Sequence, residues 1–197
     1  MKITNNGIKI CNKVLNELEE ISGNKILDLG GGVGVRDKYY KEHSNKEIIC
    51  IDLQDADIIH DLNLGIPFED NTIDGIIIAN LLQHLDSPFN FMKECKRVLK
   101  DNGKIILITP NSLSLVEIMI HYGKRESNDL NYNHRIYLWN RSLMHSLIKR
   151  AGFKIEKFEL FECFWNRNYL LKLLVWLIPI LRPQMFYVLR KENINSL

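Results

Sequence analysis

The chain has 197 residues, 46% of them hydrophobic and 25% charged, with a formal net charge of +2. That composition fits one soluble globular domain with a sizeable core. Four cysteines, Cys11, Cys50, Cys95 and Cys163, lie far apart with no CxxC pair, which argues against a zinc site or a disulfide framework and for a reducing, cytoplasmic setting without a metal. The opening "MKITNNGIKI" lacks the apolar core of a signal peptide, and no apolar run reaches the roughly 18 to 20 residues that span a bilayer. Residues 1–110 carry 13 Lys and Arg against 17 Asp and Glu, whereas residues 111–197 carry 13 against 7. The basic second half suits a solvated face, or contact with an anionic substrate or membrane surface. It has no Lys/Arg cluster with interleaved aromatics, so nucleic acid is not an expected partner.

In chain order, Ile8, Cys11, Val14, Leu15, Leu18 and Ile21 recur at helical spacing and predict an amphipathic helix that Gly23 terminates. Lys25 to Leu29 reads as a short strand, "VRDKYYKEH" as a helix, and "KEIICIDL" as a second buried strand ending in Asp52. "ADIIHDL" and "IDGIIIAN" are predicted as further strands, with "NLGIPFEDNT" a turn-rich loop between them. In "SPFNFMKECKRVLKDNG", Ser87 is placed to cap a helix and Pro88 to take its first position; Phe89, Met92, Cys95 and Leu99 form one face, and Gly103 stops the helix. "KIILITP" is the fifth strand. Beyond Pro110, "NSLSLVEIMIHYG" reads as helical, "KRESNDLNYNHRIYLW" as a polar loop, and "NRSLMHSLIKRAG" as a helix from an Asn140 cap to Gly152. "FKIEKFELFE" alternates as a half-buried strand through Phe153, Ile155, Phe158 and Leu160, and "QMFYVLRK" is the last strand. Strands alternating with helices predict an α/β fold with a doubly wound, mainly parallel sheet.

"KILDLGGGVG", Lys25 to Gly34, places four glycines within five residues at the end of the first strand. Each glycine costs backbone entropy on ordering, so a bare turn at this point reads as a ligand cradle beyond the carboxyl ends of the strands. The dinucleotide fingerprint G-x-G-x-x-G/A fails, because its sixth position is Val35 counted from Gly30 and Asp37 counted from Gly32. The pattern that fits is Asp28-x-Gly30-x-Gly32-x-Gly34. It resembles that of the class I S-adenosylmethionine-dependent methyltransferases, and the resemblance extends from about Lys25 to Phe153.

The resemblance implies a Rossmann-like, seven-stranded-type sheet with helices on both faces and an antiparallel last strand, and S-adenosylmethionine as cofactor. It implies that Asp28, Gly30, Gly31, Gly32 and Gly34 form the cofactor loop. Asp52 would accept hydrogen bonds from the ribose hydroxyls, with Leu53 beside it; a carboxylate suits that task because its oxygens only accept. Asp61 would hold the adenine amine, Leu62 would read the ring edge, and Asn80 and Leu81 would lie beside the sulfonium. Asp74, in the family's P-F-x-D-x-x-F-D run, is read as a structural acid outside the site. Residues 1–197 then form one domain: an N-terminal helix in 1–24, a cofactor-binding half in 25–110, and an acceptor-side half in 111–197.

Two departures stand out. Only Gln54 to Asp57 separates the second strand from the third, where the family commonly has a helix, so the adenine side is expected to be open. Gln83-His84 replaces a common Glu-His pair, which removes one carboxylate base. Methyl transfer from a sulfonium needs positioning and water exclusion more than side-chain chemistry. For a hydroxyl acceptor His84 is the candidate base, and His134, Arg135 and Tyr137 are candidate acceptor contacts. The acceptor is read as a small molecule, a glycan or a lipid-linked compound. A noncatalytic adenosylmethionine-binding module and a nucleotide-dependent oxidoreductase are the alternative readings. The apolar stretch "NYLLKLLVWLIPILRP", within an insertion at about 163–183, suits internal packing, a homodimer interface or peripheral membrane contact.

Overall fold

The computed structural model describes residues 5–32, 35–114, 117–118, 135–161, 178 and 182–192. Strands that are apolar at every position can be satisfied only in a sheet covered on both faces. The fourth strand shows this most fully: β4 (Ile73–Ala79) is buried at all seven positions. Around it lie β1 (Lys25–Leu29), β2 (Glu47–Asp52), β3 (Ile58–Ile59), β5 (Leu99–Pro110), β6 (Phe153–Phe161) and β7 (Gln184–Lys191), in the order β3-β2-β1-β4-β5-β7-β6. β1 pairs in parallel with β2 and β4, and β4 with β5, while β7 runs antiparallel between β5 and β6.

The period of two along each strand divides the core. Ile26, Ile77, Ile106 and Phe186 face α1 (Asn5–Glu19), whose Cys11, Val14 and Leu18 are fully buried against them. Leu27, Ile76, Ile78 and Leu107 face the opposite side, covered by α3 (Pro88–Val98) and α4 (Arg141–Arg150). The predicted α/β, doubly wound sheet is therefore present, with α2 (Val35–His43) following the glycine loop.

Several local signals act as the sequence suggests. The Ser87 and Asn140 side chains accept from the amides of Asn90 and Leu143. The uneven spacing of Phe153, Ile155, Phe158 and Leu160 has its cause in a register shift between Ile155 and Lys157, a bulge that inserts one residue.

Others require correction. Gly23 does not stop α1, which ends four residues earlier at Glu19; its φ of +99° belongs to the turn into β1, where a Cβ would meet the Asp74 carboxylate. Gly103 does not stop a helix: α3 ends at Val98, and Gly103 lies inside β5, where a Cβ would meet the Asp74 carbonyl oxygen at 2.9 Å. The register against β4 steps from Ile73↔Leu99 to Gly75↔Lys104, so the glycine serves an irregularity in the ladder. Pro88, Phe91, Met92, Cys95 and Val98 are the buried residues of α3, Phe89 is only half-buried, and Leu99 belongs to the strand. The strand expected in "ADIIHDL" shrinks to Ile58–Ile59 and a 3₁₀ turn, Leu62–Leu64, capped by Asp61. Most of the helix read in "NSLSLVEIMIHYG" and nearly all of the insertion at about 163–183 lie outside the described residues. Among the described residues, no helix is long and apolar enough to cross a membrane.

Candidate functional site

The parallel strands β1, β2 and β4 end side by side, and a ligand site in such a sheet forms beyond those ends. Three groups occupy that edge: the loop after β1, the acid at the end of β2, and the turn after β4.

The loop is bare for reasons internal to the chain. Gly30 has φ +75°, and a Cβ there would press on the Leu81 side chain at 2.9 Å. At Gly31 a Cβ would overlap the Asp28 carboxylate, and at Gly32 it would overlap the Gln54 carbonyl. Glycine thus lets the loop fold down onto the ends of β1 and β2. That closeness aims the Gly32 amide at Asp52, donating to Oδ2 at 3.0 Å, while the Leu53 amide donates to Oδ1 at 2.6 Å. Each Asp52 oxygen retains acceptor capacity for a further donor. Leu53, beside it, is 66% exposed, as are Ile59 (62%) and Leu64 (80%). No helix separates β2 from β3, so this flank is open as expected.

Asp28 is buried, and its Oδ2 has no hydrogen-bond partner. Burial pushes its carboxyl up to about 7, against the opposing pull of the Arg36 guanidinium. Cys50 is its register partner on β2, and burial raises that thiol to about 12. Asp37 approaches the same pair within 4.8 Å. This trio offers a weak donor set for a metal, because the thiol stays protonated at neutral pH and Lys41 already holds Asp37 at 2.9 Å.

After β4 the chain turns at Asn80, whose φ of +57° is unusual for a side-chain-bearing residue. Its amide donates to the Ile108 carbonyl, its carbonyl accepts from Gln83 Nε2 at 2.8 Å, and its Oδ1 is buried without a partner. Asp28 Oδ2 and Asn80 Oδ1 are two unsatisfied acceptors at the edge where a cationic or donor-bearing ligand would sit. With the Asp52 carboxylate and the exposed Leu53, this donor-hungry edge fits the amino-acid and ribose ends of S-adenosylmethionine. Asp61 is partly committed, since Oδ1 accepts the Asn63 amide at 2.9 Å, and the Leu62 side chain belongs to the core. Gly34 and His134 lie outside the described residues. Asp74 sits at the opposite end of the sheet, accepting from the amides of Asn24 and Lys25 and from Lys100, in keeping with a structural acid.

On the acceptor side, His84 ends the 3₁₀ turn Leu82–His84, with its amide bonded to the Leu81 carbonyl. The Ile136 amide donates to the Gln83 carbonyl at 2.8 Å, which straps residues 135–139 onto that turn. Arg135 pairs with Glu117 at 2.9 Å, the two side chains 12% and 6% exposed. The Tyr137 hydroxyl donates to the Asp86 carbonyl, and its ring stacks on Trp139 at 5.4 Å. Gln83, Glu117, Arg135, Tyr137 and Trp139 line a cavity of about 10 Å³, the room of one water. Sequence reasoning missed Arg36, Glu117 and Trp139, and noted Gln83 only as the residue standing in place of a carboxylate. Only Glu117 left a trace, as a lone acid in an apolar helical run.

Residues 27–107 match the family described as "Methyltransferase domain". A Mycolicibacterium smegmatis protein named "Probable S-adenosylmethionine-dependent methyltransferase" is 24% identical over 147 residues, covering 68% of this chain and 54% of its own length. A demethylmenaquinone methyltransferase of Bacillus mycoides is 26% identical over 98 residues, 46% of this chain and 41% of that protein. The chain thus spans about half, or less, of the length of these relatives. In fold it is similar to a SAM-dependent methyltransferase from Archaeoglobus fulgidus, with a TM-score of 0.68, 17% identity and 93% coverage of each chain. Residues 27–107 therefore form a methyltransferase domain of the class I, S-adenosylmethionine-dependent family.

Proposed function

We propose that the chain transfers a methyl group from S-adenosylmethionine to a small-molecule acceptor. The observation that carries this reading is the convergence of Asp28, the folded-down glycines, Asp52 and Asn80 at the ends of β1, β2 and β4, within the matched residues 27–107. When bound, the cofactor supplies an activated methyl on sulfur. Asp52 takes the ribose hydroxyls, and the exposed Leu53 offers an apolar seat for adenine, flanked by Asp61 and Leu62. Gly30, Gly31, Gly32 and Gly34 let the main chain close over the amino-acid end, with Asn80 and Leu81 nearest the sulfur. Asp28 meets positive charge there.

On the acceptor side, His84 takes the proton of a hydroxyl acceptor, and Arg135 and Tyr137, with His134, shape the wall. Because Arg135 is balanced by Glu117 and the Tyr137 hydroxyl is bonded to the main chain, that wall acts through shape more than through free charge. The named activity of the Bacillus relative and the apolar stretch 168–183 favour an apolar, lipid-linked acceptor over a glycan. Peripheral membrane contact or a homodimer through that stretch belongs to the same proposal, as does a cytoplasmic setting, which the buried free thiols of Cys11, Cys50 and Cys95 suit.

The test is formation of S-adenosylhomocysteine from S-adenosylmethionine across an acceptor library that includes quinols and polar hydroxyl compounds. Product formation with one acceptor, slowed about 10²- to 10⁴-fold by His84→Ala with unchanged cofactor affinity, supports the reading. Cofactor binding without turnover on any acceptor would leave a binding module, and tighter binding of NAD would replace it with an oxidoreductase.

A further inference from the structure

α4 carries two stripes. Met144 and Ile148 are fully buried in the core beneath it. Leu143, Ser146, Leu147 and Arg150 follow the spacing i, i+3, i+4, i+7 and so share another face. That face closes one side of a groove of about 310 Å³ whose other walls are Phe89 of α3 and Trp139, a volume in the range of small-ligand pockets. Leu143 is 52% exposed there, although a leucine gains by burial. From Leu143 to Arg150 the helix rises about 10 Å, the length of a medium alkyl chain.

The charge around the groove is of one sign. α4 contains Arg141, Lys149 and Arg150 and no acid. Lys93 Nζ and the Arg150 guanidinium lie over the Phe89 ring, 4.7 and 5.7 Å from its centroid, and among the described residues neither has a carboxylate partner. Arg97, also on α3, is by contrast spent on the fold, paired with Glu94 and Asp70. An apolar groove with unpaired cations at one end complements an amphiphile with a negative head: the chain gains burial and the head gains counter-charge. Trp139 lines both this groove and the small cavity of the acceptor wall.

We propose that the groove between α3 and α4 binds a single-chain anionic amphiphile, a fatty carboxylate, with the chain along Phe89, Leu143 and Leu147 and the head beside Arg150 and Lys93. The site lies away from the cofactor edge and does not depend on the methyltransferase reading.

The test is calorimetric titration of the full chain with decanoate, decanol and decyltrimethylammonium, each below its micelle concentration, for the wild type, Leu143→Gln and Arg150→Gln, with folding of each checked by chemical denaturation. The wild type is expected to bind one decanoate per chain, decanol about fivefold more weakly, the worth of one cation beside an anionic head, and decyltrimethylammonium more weakly still. Arg150→Gln should weaken decanoate about fivefold and leave decanol unchanged, whereas Leu143→Gln should weaken both alike. The ranking of the three ligands in the wild type tests the assignment even where a variant fails to fold. No decanoate binding to the folded wild type, equal affinity for all three ligands, or folded variants that bind decanoate as the wild type does would overturn it. Binding to anionic phospholipid vesicles without binding of decanoate would overturn it by giving the groove to a lipid surface, and a dimer that Leu143→Gln dissociates, again without decanoate binding, would give it to a second copy of the chain.

Discussion

The two edges of the site are built in different ways. On the cofactor side, the functional groups sit within a few residues of strand ends that pair directly, Asp28 with Cys50 and Leu29 with Ile51. Their places follow from short-range rules: strand, glycine turn, helix. On the acceptor side the wall is assembled from distant pieces, with Gln83 from the turn after β4, Glu117 beyond β5, and the strap 135–139 held by main-chain bonds to Gln83 and Ser112. The first edge is fixed by the sheet, and the second depends on a few buried polar contacts. Substitutions in the two should therefore fail differently.

The largest effect is expected at the acceptor wall. Glu117→Gln removes the counter-charge of Arg135 in an almost buried pair and should cost about 3–5 kcal/mol of stability, read by chemical denaturation. Replacing both residues with methionine should cost less than Glu117→Gln alone, since both charges of this pair are then removed together. A cost below 1 kcal/mol for Glu117→Gln would show that the wall does not rest on this pair.

On the cofactor edge the expected effect falls on binding and depends on pH. Asp28 has its carboxyl raised to about 7 by burial. A cationic amine beside it favours the ionised form, so binding lowers that value and releases a proton. Affinity for S-adenosylhomocysteine should therefore be full above about pH 7 and fall by at most about tenfold, 1.4 kcal/mol, per unit below it. Asp28→Asn should flatten this dependence. Affinity that rises as pH falls would contradict it.

The smallest effect concerns α4, which backs the acceptor wall. Asn140→Ala removes the side-chain acceptor for the Leu143 amide at 3.0 Å and should cost about 1 kcal/mol of stability while leaving cofactor affinity unchanged. A change in cofactor affinity would show that the two edges are coupled.

The same contrast governs what could be read before the structure. The seven strand positions and the Ser87 and Asn140 caps are legible because each is marked by local pattern, apolar runs or a capping residue before a helix, whereas Asp28, Asp52 and Asn80 stand out through the resemblance to the family's motifs. Gly103 misled because a glycine after a helix commonly ends it, whereas here it answers a close approach by the Asp74 carbonyl, which only the pairing of β4 with β5 creates. Phe89 misled for a similar reason: it holds helical spacing, but the direction from which the sheet covers α3 favours Phe91 and Val98. Glu117 left little more than a lone acid in an apolar run because its meaning lies in what surrounds it, the buried pairing with Arg135. The glycines themselves were identified for ligand approach, while the described ones are first required by the chain's own carbonyls and carboxylates.

The central claim, an adenosylmethionine site at the ends of β1, β2 and β4, is tested most directly by calorimetric titration of S-adenosylhomocysteine into the wild-type chain and into Asp52→Ala. The expected result is one site per chain in the wild type and a loss of about 1.5–3 kcal/mol in the variant, the range for hydrogen bonds to a charged group. Equal affinity in both proteins, or no heat of binding in a folded wild type, would contradict it.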